Sequence, residues 1–180
     1  IEIHDGNIKA TGGKFGAGIG GGFGNSEYSS NIRKISIYGG TIHSTGGEYS
    51  AGIGGGYGYS KSSSSITESI EIHGGDITSI GGNYGSGIGN GYSYTSDSSI
   101  VASIILDAST VINNTIDSSI VCTSISAKKG TNASKCIGQG HMSNIAQPTV
   151  IERGGSVFNV DSNTCTFQTQ TSQCLKPWRC

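Results

Sequence analysis

A segment of 24 residues occurs three times within residues 1–93, and this repeat constrains the fold more than any other feature of the sequence. The copies begin at Ile1, Ile35 and Ile70, so they are spaced by 34 and 35 residues without internal gaps. A weaker fourth copy begins at Ile104, and a partial fifth begins near residue 150. Repeats of this period are typical of solenoids and propellers, in which each copy needs its neighbours to bury an apolar face.

Four positions in each copy hold an aliphatic residue. The four columns are Ile1, Ile35, Ile70 and Ile104; Ile3, Ile37, Ile72 and Leu106; Ile8, Ile42, Ile77 and Val111; and Ile19, Ile53, Ile88 and Ile137. Ile1 and Ile3 flank a polar residue, which is the pattern of a strand with one buried face. The chain has 25 isoleucines but only two leucines, and the branched Cβ of isoleucine favours strands over helices. The sequence therefore predicts an all-β protein.

Glycine pairs separate three short strand-like stretches within each copy. Three strands per copy fit one coil of a parallel β-solenoid, in which successive coils stack about 4.8 Å apart. A propeller blade needs four strands, and a helical repeat needs an apolar periodicity of about 3.6 residues; neither pattern occurs. We predict a β-solenoid of about four coils over residues 1–157, starting near residues 1, 35, 70 and 104 with a partial fifth at 150, and a Cys-rich cap over residues 158–180.

Serine-rich segments of 12 or 13 residues, beginning at Phe23, Tyr57 and Tyr92, lead from each copy to the next, and such tracts predict solvated loops on one side of the solenoid. The fourth copy carries about 15 further residues between Val111 and Ile137. Both N-x-S/T sequons, at Asn113 and Asn132, fall in this predicted surface insertion. Because glycosylated sequons lie in exposed loops, we expect both asparagines to be candidate N-glycosylation sites.

The cysteines are confined to the last 60 residues: Cys122, Cys136, Cys165, Cys174 and Cys180. None forms C-x-x-C or the spacing of a zinc site. Disulfides at the end of a solenoid would compensate for a smaller core, and they indicate an oxidising, extracellular setting. Cys174 and Cys180 could close a short loop, but the odd number leaves one thiol free or paired with another chain, and the sequence does not define the pairing.

The stretch GAGIGGGFG, residues 16–24, satisfies the G-x-G-x-x-G pattern of dinucleotide-binding sites. That motif requires a following helix and an acidic residue about 20 positions later. Here a Ser/Tyr-rich segment follows, and the equivalent stretches in the next two copies break the pattern. A glycine-rich anion nest would lack the lysine or helix N-terminus that usually accompanies one. We therefore expect no cofactor, and we interpret the glycines as residues that let neighbouring coils approach.

The acidic residues and histidines do not predict a metal or catalytic site. GGEYSAGIG lacks the aspartate of calcium-binding nonapeptide repeats. His4 and His73 share a column with Tyr38 between them, and we interpret them as exposed strand residues rather than as metal ligands. Glu2 and Glu71 lie two coils apart in one column, roughly 9–10 Å, a separation that inverting glycosidases use. Nothing in the sequence indicates a raised carboxyl pKa, so we expect no catalytic and no metal-binding residues.

Aromatic residues also recur at the repeat spacing. Two columns contain Phe15, Tyr49 and Tyr84, and Phe23, Tyr57 and Tyr92, and a shorter one contains Tyr59 and Tyr94. Aligned rings on neighbouring coils would form a partly apolar strip with hydroxyls at its edge, which could bind sugar rings or another protein. The other interpretation is that the rings pack over the glycine turns and stabilise the stack.

Charge and hydropathy exclude two classes of partner. The net charge is −1 with 13% charged residues, so the chain has no basic footprint for nucleic acid. No apolar run is long enough to span a membrane, so we expect no membrane insertion. The chain opens on the strand-like IEIH without a signal peptide, and we expect a mature or excised product.

The phrase GGxIxxxGGxxxAGIGGGxG resembles glycine-rich repeats in large secreted and cell-surface proteins of bacteria and some protists, which are similar to right-handed parallel β-helix domains, including carbohydrate-binding ones. The resemblance covers residues 1 to about 92 well and 100–157 loosely. It implies a right-handed parallel β-solenoid and an extracellular or cell-surface location, and it implies no catalytic residue.

These features favour a non-enzymatic extracellular structural protein, a module of a surface coat, adhesin or filament. A solenoid ends in open strand edges, which pair with another chain unless they are capped. Head-to-tail docking of copies would build an open filament, so we expect self-association. The alternative is a carbohydrate-binding module that binds a glycan through the aligned aromatics. An ice-binding surface would need a flat threonine array, which the sequence lacks.

Overall fold

A computed structural model describes residues 1–25, 29–59, 65–95, 99–107, 123–138, 140, 149–153, 157–160 and 163–168. These residues form strands, turns and irregular segments, and none of them is helical. Within these ranges no helix is therefore long and apolar enough to cross a membrane.

Three sheets wind together along the chain, and the strands are numbered in chain order. Sheet A consists of β1 (Glu2–Ile3), β4 (Ser30–Ile37), β7 (Ser65–Ile72), β10 (Ser99–Asp107) and β13 (Thr149–Arg153). Sheet B consists of β2 (Asn7–Thr11), β5 (Thr41–Thr45), β8 (Gly75–Ile80), β11 (Thr123–Lys128), β15 (Thr164–Gln168) and β14 (Val157–Val160). Sheet C consists of β3 (Ile19–Gly20), β6 (Ile53–Gly54), β9 (Ile88–Gly89) and β12 (Ile137–Gly138). Each of the first four coils contributes one strand to each sheet, which confirms the predicted all-β parallel β-solenoid.

The isoleucine columns lie between the three sheets and form the core. In sheet A, Ile35 pairs in parallel register with Ile70, which pairs in turn with Ile104. Ile42 of sheet B and Ile53 of sheet C are likewise completely buried. Stacking in register removes these side chains from water, at roughly 1.5–3 kcal/mol for each fully buried aliphatic side chain. The predicted columns are therefore the main source of stability of the stack.

The fourth coil differs from the sequence prediction in one column. Ile125 of β11, rather than Val111, pairs with Ile77 of β8. Val111 lies in residues 108–122, outside the described ranges. Ile72 and Ile77 are five positions apart, whereas Leu106 and Ile125 are 19 apart, so nearly all of the extra residues of this copy precede β11. One further residue lies between Ile125 and Ile137, which are 12 positions apart rather than the 11 of the earlier coils.

The serine-rich segments also differ from the prediction of long solvated loops. Their second halves form the first parts of β4, β7 and β10, which are eight or nine residues long. Ser65 and Thr67 are completely buried, and their partners on β10, Ser99 and Val101, are at most 1% exposed. These small side chains alternate toward the interior, so the strands extend into segments that their composition marks as loops.

The strand pairing changes direction near the C-terminal end of the solenoid. β15 pairs antiparallel with β11 of the fourth coil, and β14 pairs antiparallel with β15. A disulfide joins Cys136, just before β12, to Cys165 of β15. Phe167 of β15 is completely buried, so this hairpin adds apolar cover to the core. The other predicted cysteines, Cys122, Cys174 and Cys180, lie outside the described residues.

The glycine-rich segment is the third side of each coil. Gly20, Gly54, Gly89 and Gly138 have positive φ values between 113° and 140°. A Cβ on Gly54 would collide with the carbonyl oxygen of Gly89 on the next coil. Only glycine therefore fits here, because it combines this backbone conformation with the contact between adjacent coils.

Candidate functional site

The predicted aromatic columns come together at one corner of the solenoid. Phe15 and Tyr49 lie in the turns between sheets B and C, whereas Tyr57 and Tyr92 follow the strands of sheet C. Backbone hydrogen bonds join the two kinds of turn, since the amide of Tyr57 donates to the carbonyl of Phe15 (3.0 Å) and that of Tyr92 donates to Tyr49 (2.7 Å). We call the whole set the aromatic ladder: Phe15, Tyr49, Tyr84, Phe23, Tyr57, Tyr92, Tyr59 and Tyr94.

Rings of the ladder stack between adjacent coils. Tyr49 and Tyr84 are 2° from parallel with ring centroids 5.1 Å apart. Tyr57 lies between Phe23 (5.3 Å, 6°) and Tyr92 (5.4 Å, 25°). These distances are close to the coil spacing of a parallel sheet, so the backbone register sets the ring spacing.

Tyr57 is the centre of the ladder. Besides its two stacking partners it contacts Phe15 at 5.3 Å, Tyr49 at 5.4 Å and Tyr59 at 6.4 Å, the last edge to face. Partial burial, followed by the neighbouring tyrosine hydroxyls, raises the pKa of Tyr57 to about 12. The Tyr57 phenol is therefore neutral over the physiological range and acts as a packing group.

The stacking decides which part of each ring faces water. Tyr49 has Phe15 on one side and Tyr84 on the other, and Tyr57 is covered in the same way, so both faces of the middle rings are engaged. A sugar ring stacks on an aromatic face, and the middle of the ladder offers only ring edges. The three most exposed rings are Phe23 (39%), Tyr59 (45%) and Tyr94 (58%).

A pair of opposite charges borders the ladder at its first two coils. The Lys14 ammonium lies 5.5 Å from the ring centroid of Phe15 and 6.0 Å from that of Tyr49. Its Nζ atom is also 3.7 Å from Glu48 Oε2. Partial burial and the nearby Glu48 carboxylate raise the pKa of Tyr49.

A second, shorter stack lies just beyond the C-terminal ends of β1, β4 and β7. Tyr38 is sandwiched between His4 (5.0 Å, 8°) and His73 (5.2 Å, 10°), so the predicted histidine column is brought together with the tyrosine inside it. His43 belongs to β5 of sheet B, in register with Thr78. Within the described ranges, no group of three or more His, Cys, Asp or Glu side chains is arranged to hold a metal ion.

The two column glutamates have different partners. Glu71 Oε2 accepts hydrogen bonds from Lys34 Nζ (2.7 Å) and His73 Nε2 (3.3 Å), whereas Glu2 is 3.7 Å from His4 and largely exposed. Partial burial acts to raise the pKa of Glu71, but the hydrogen bonds from Lys34 and His73 outweigh it and lower the pKa. A general acid needs the opposite shift, so Glu71 is suited to an ion pair rather than to proton donation.

Ladders of serine hydroxyls were missed by the sequence analysis. Ser30, Ser65 and Ser99 occupy one register position in sheet A. Their Oγ atoms accept hydrogen bonds from backbone amides of the glycine-rich segments, from Gly22 (2.7 Å), Gly56 (2.9 Å) and Gly91 (3.2 Å) respectively. The signal in the sequence was their spacing of 35 and 34 residues, which matches that of the isoleucine columns.

The predicted glycosylation sites do not share one insertion. Asn132 lies in the turn between β11 and β12, where it is exposed and its Nδ2 donates to Asn83 Oδ1 (3.2 Å) of the preceding coil. It thus continues a repeat position, because the extra residues of the fourth coil precede β11. Asn113 falls outside the described residues.

Comparison with known proteins agrees with the repeat architecture. Residues 1–23 and 35–57 match a family model described as "Beta helix repeat". Residues 1–23 contain β1, β2 and β3, and residues 35–57 contain the end of β4 together with β5 and β6. The rings of Phe15, Phe23, Tyr49 and Tyr57 lie in these two ranges. No curated protein and no solved structure matches the chain. The match supports a β-helix repeat region in the first half of the chain.

Proposed function

We propose that this chain is a non-enzymatic structural module of an extracellular or cell-surface protein, and that copies of it stack head to tail. The coarser part of this role, a structural repeat domain, follows from the β-helix repeats. The finer part depends on how the chain uses its repeated side chains.

The observation that carries the proposal is that the repeated side chains contact neighbouring coils. The isoleucines fill the interior, Ser99 Oγ donates to the Gly56 carbonyl of the preceding coil (2.8 Å), and the middle rings of the aromatic ladder have both faces covered. These repeated groups therefore form a self-complementary surface from coil to coil.

The first coil has the surface that a further coil would cover. Ile1 is 51% exposed, whereas its column partners Ile35, Ile70 and Ile104 are completely buried. Ile3 and Ile8 are likewise only partly buried against the core. Among the described strands, β1, β2 and β3 each pair with a neighbour on one side only. A coil docked in parallel on the other side would bury this apolar surface, and a heterologous contact of this kind builds open filaments.

Two features support an extracellular location. The disulfide between Cys136 and Cys165 is of a kind that persists in oxidising compartments. Asn132 begins an N-x-S sequon and is itself exposed in a turn, as a glycosylated asparagine requires. Expression in a eukaryotic secretory host, followed by mass spectrometry of the peptide with and without glycosidase, tests whether Asn132 carries a glycan.

Sedimentation equilibrium of the purified chain tests head-to-tail stacking. We expect the average mass to increase with protein concentration, and Ile1→Lys to abolish that increase because it places a charge in the docked surface. Ile80→Lys is the matched control, since Ile80 is 38% exposed on sheet B, away from the first coil. A chain that remains monomeric at high concentration, or an equal effect of both variants, would contradict the proposal.

Carbohydrate binding is the second candidate, and the exposure of the outer rings favours it. Tyr94 is 58% exposed and Phe23 is 39% exposed, so a sugar ring could reach them even though the middle rings are covered. Glycan-array binding that is lost in Tyr94→Ala and retained in Tyr38→Ala, a substitution just after β4, would support this function. Absence of binding to any glycan would exclude it.

A further inference from the structure

The two most exposed tyrosines of the aromatic ladder form a stacked pair on adjacent coils. Tyr59 and Tyr94 have ring centroids 5.0 Å apart and planes 13° from parallel. They are 45% and 58% exposed, so a reagent in solution can reach both rings. Proximity of two oxidisable phenols is a condition for joining them covalently.

The backbone holds the pair in place. The amide of Tyr59 donates to the carbonyl of Gly24 (2.9 Å), and the amide of Tyr94 donates to that of Gly58 (2.9 Å). Parallel bridges link Gly24 to Gly58 and Gly58 to Ser93. The two tyrosines are therefore fixed one coil apart, and only their side-chain torsions must change for the ring edges to meet.

We propose that Tyr59 and Tyr94 are a site of oxidative dityrosine formation, which would join the second and third coils by a carbon–carbon bond. The oxidant required is a peroxidase with hydrogen peroxide. The cross-link would form within one chain, so it does not depend on head-to-tail assembly.

The reaction balances with one hydrogen peroxide. Each phenol loses one electron and one proton, which gives two phenoxyl radicals and reduces the peroxide to two water molecules. The radicals couple through one ring carbon on each side, ortho to the oxygen. The hydrogen on each coupled carbon then moves to the oxygen, and this step restores both aromatic phenols.

Other stacked tyrosines in the ladder are less suited to this chemistry. Tyr57 has a pKa of about 12 and is enclosed by five rings, so its phenol is both less accessible and harder to deprotonate. Tyr49 and Tyr84 are nearly parallel at 5.1 Å, but Tyr49 has its second face covered by Phe15. The exposure of Tyr59 and Tyr94 therefore predicts selectivity for one pair among several with similar spacing.

The test oxidises the dilute chain with a peroxidase and hydrogen peroxide, isolates the monomer, and measures dityrosine fluorescence and cross-linked peptides by mass spectrometry. We expect a linked pair of peptides containing Tyr59 and Tyr94, with a mass lower by two hydrogen atoms. Tyr59→Phe and Tyr94→Phe keep the stacked ring and should each remove most of the monomer fluorescence, whereas the control Tyr49→Phe should leave it unchanged. Circular dichroism establishes that each variant is folded. Monomer fluorescence that survives in Tyr59→Phe and Tyr94→Phe, or cross-links formed only between chains, would overturn the proposal.

Discussion

The ring of Tyr57 stacks on that of Phe23 with centroids 5.3 Å apart and planes only 6° from parallel. The contact joins the second coil to the first at the corner where the glycine-rich segments leave little other side-chain mass. Tyr92 continues the same column onto the third coil. Aromatic pairs of this geometry contribute about 0.5–1.5 kcal/mol beyond the area they bury, so a column of them holds successive coils together.

Replacing the central ring of this column should destabilise the fold. Tyr57→Ala removes contacts with Phe23, Tyr92 and the crossing rings, and we expect it to lower the free energy of unfolding by about 2 kcal/mol. Tyr94→Ala is the control, because that ring is 58% exposed and its loss should cost less than about 1 kcal/mol. Urea denaturation followed by circular dichroism measures both. Equal effects would argue against a stabilising role for the ladder.

The glycine contacts between coils can be tested with three alanine substitutions. Gly54→Ala combines an unfavourable φ of 129° with a collision against Gly89, and we expect it to cost more than about 2 kcal/mol. Gly6→Ala has a positive φ but no atom within 4 Å of the new Cβ, so about 1 kcal/mol should be lost. Gly13→Ala has neither problem and should be neutral. Thermal melts that rank the three differently would contradict the close-approach interpretation.

Two serines are equally buried but differ in hydrogen bonding, so their alanine variants can be compared directly. Ser65→Ala leaves the amide of Gly56 without its acceptor in a buried environment, and we expect a loss of about 1–3 kcal/mol. Ser36 is equally buried, but its Oγ has no hydrogen-bond partner in the part of the chain that the structure describes. Ser36→Ala should therefore be neutral or slightly stabilising. A larger loss for Ser36→Ala than for Ser65→Ala in chemical denaturation would contradict the serine ladder.

The ion pair on sheet A makes stability depend on pH. The pKa of Glu71 lies below its ordinary value of 4.5 in the folded protein, so the ionised carboxylate stabilises the fold above that pH, and this contribution is lost as the pH falls through the folded-state pKa. We expect Glu71→Gln to lower the melting temperature at neutral pH and to match the wild type in strong acid. Glu2→Gln is the matched control, because this carboxylate is largely exposed and its replacement should change the melting temperature at neutral pH little. A Glu71→Gln difference that is independent of pH would contradict this account.

Much of the fold could be predicted because identical side chains recur at one spacing. Columns such as Ile35, Ile70 and Ile104 follow directly from the 34- and 35-residue period, since parallel coils in register must place them together. Ile125 was missed because the extra residues of the fourth coil precede β11, and the nearest aliphatic residue after β10 was Val111. The repeat spacing alone does not show whether extra residues lie before or after the strand that continues a column.

The serine and aromatic columns show a different limit of the sequence. Serine is common in loops, so composition assigns Ser65 and Ser99 to solvent, although their hydroxyls accept hydrogen bonds from the buried amides of Gly56 and Gly91. The spacing of Tyr49 and Tyr84 predicted that the rings align, but the orientation of their faces depends on side-chain torsions. That orientation decides between a strip that offers ring faces to a ligand and one that uses them to hold coils together.

Electron microscopy and fibre diffraction of the purified chain, concentrated at neutral pH, test the central claim most directly. Head-to-tail stacking predicts unbranched fibres one solenoid wide. Their diffraction should show a meridional reflection at about 4.8 Å, the spacing of strands along the solenoid axis. The Ile1→Lys variant should yield no fibres, whereas Ile80→Lys should yield them as the wild type does. Isolated particles of single-chain size at every concentration, with no meridional reflection, would contradict the account.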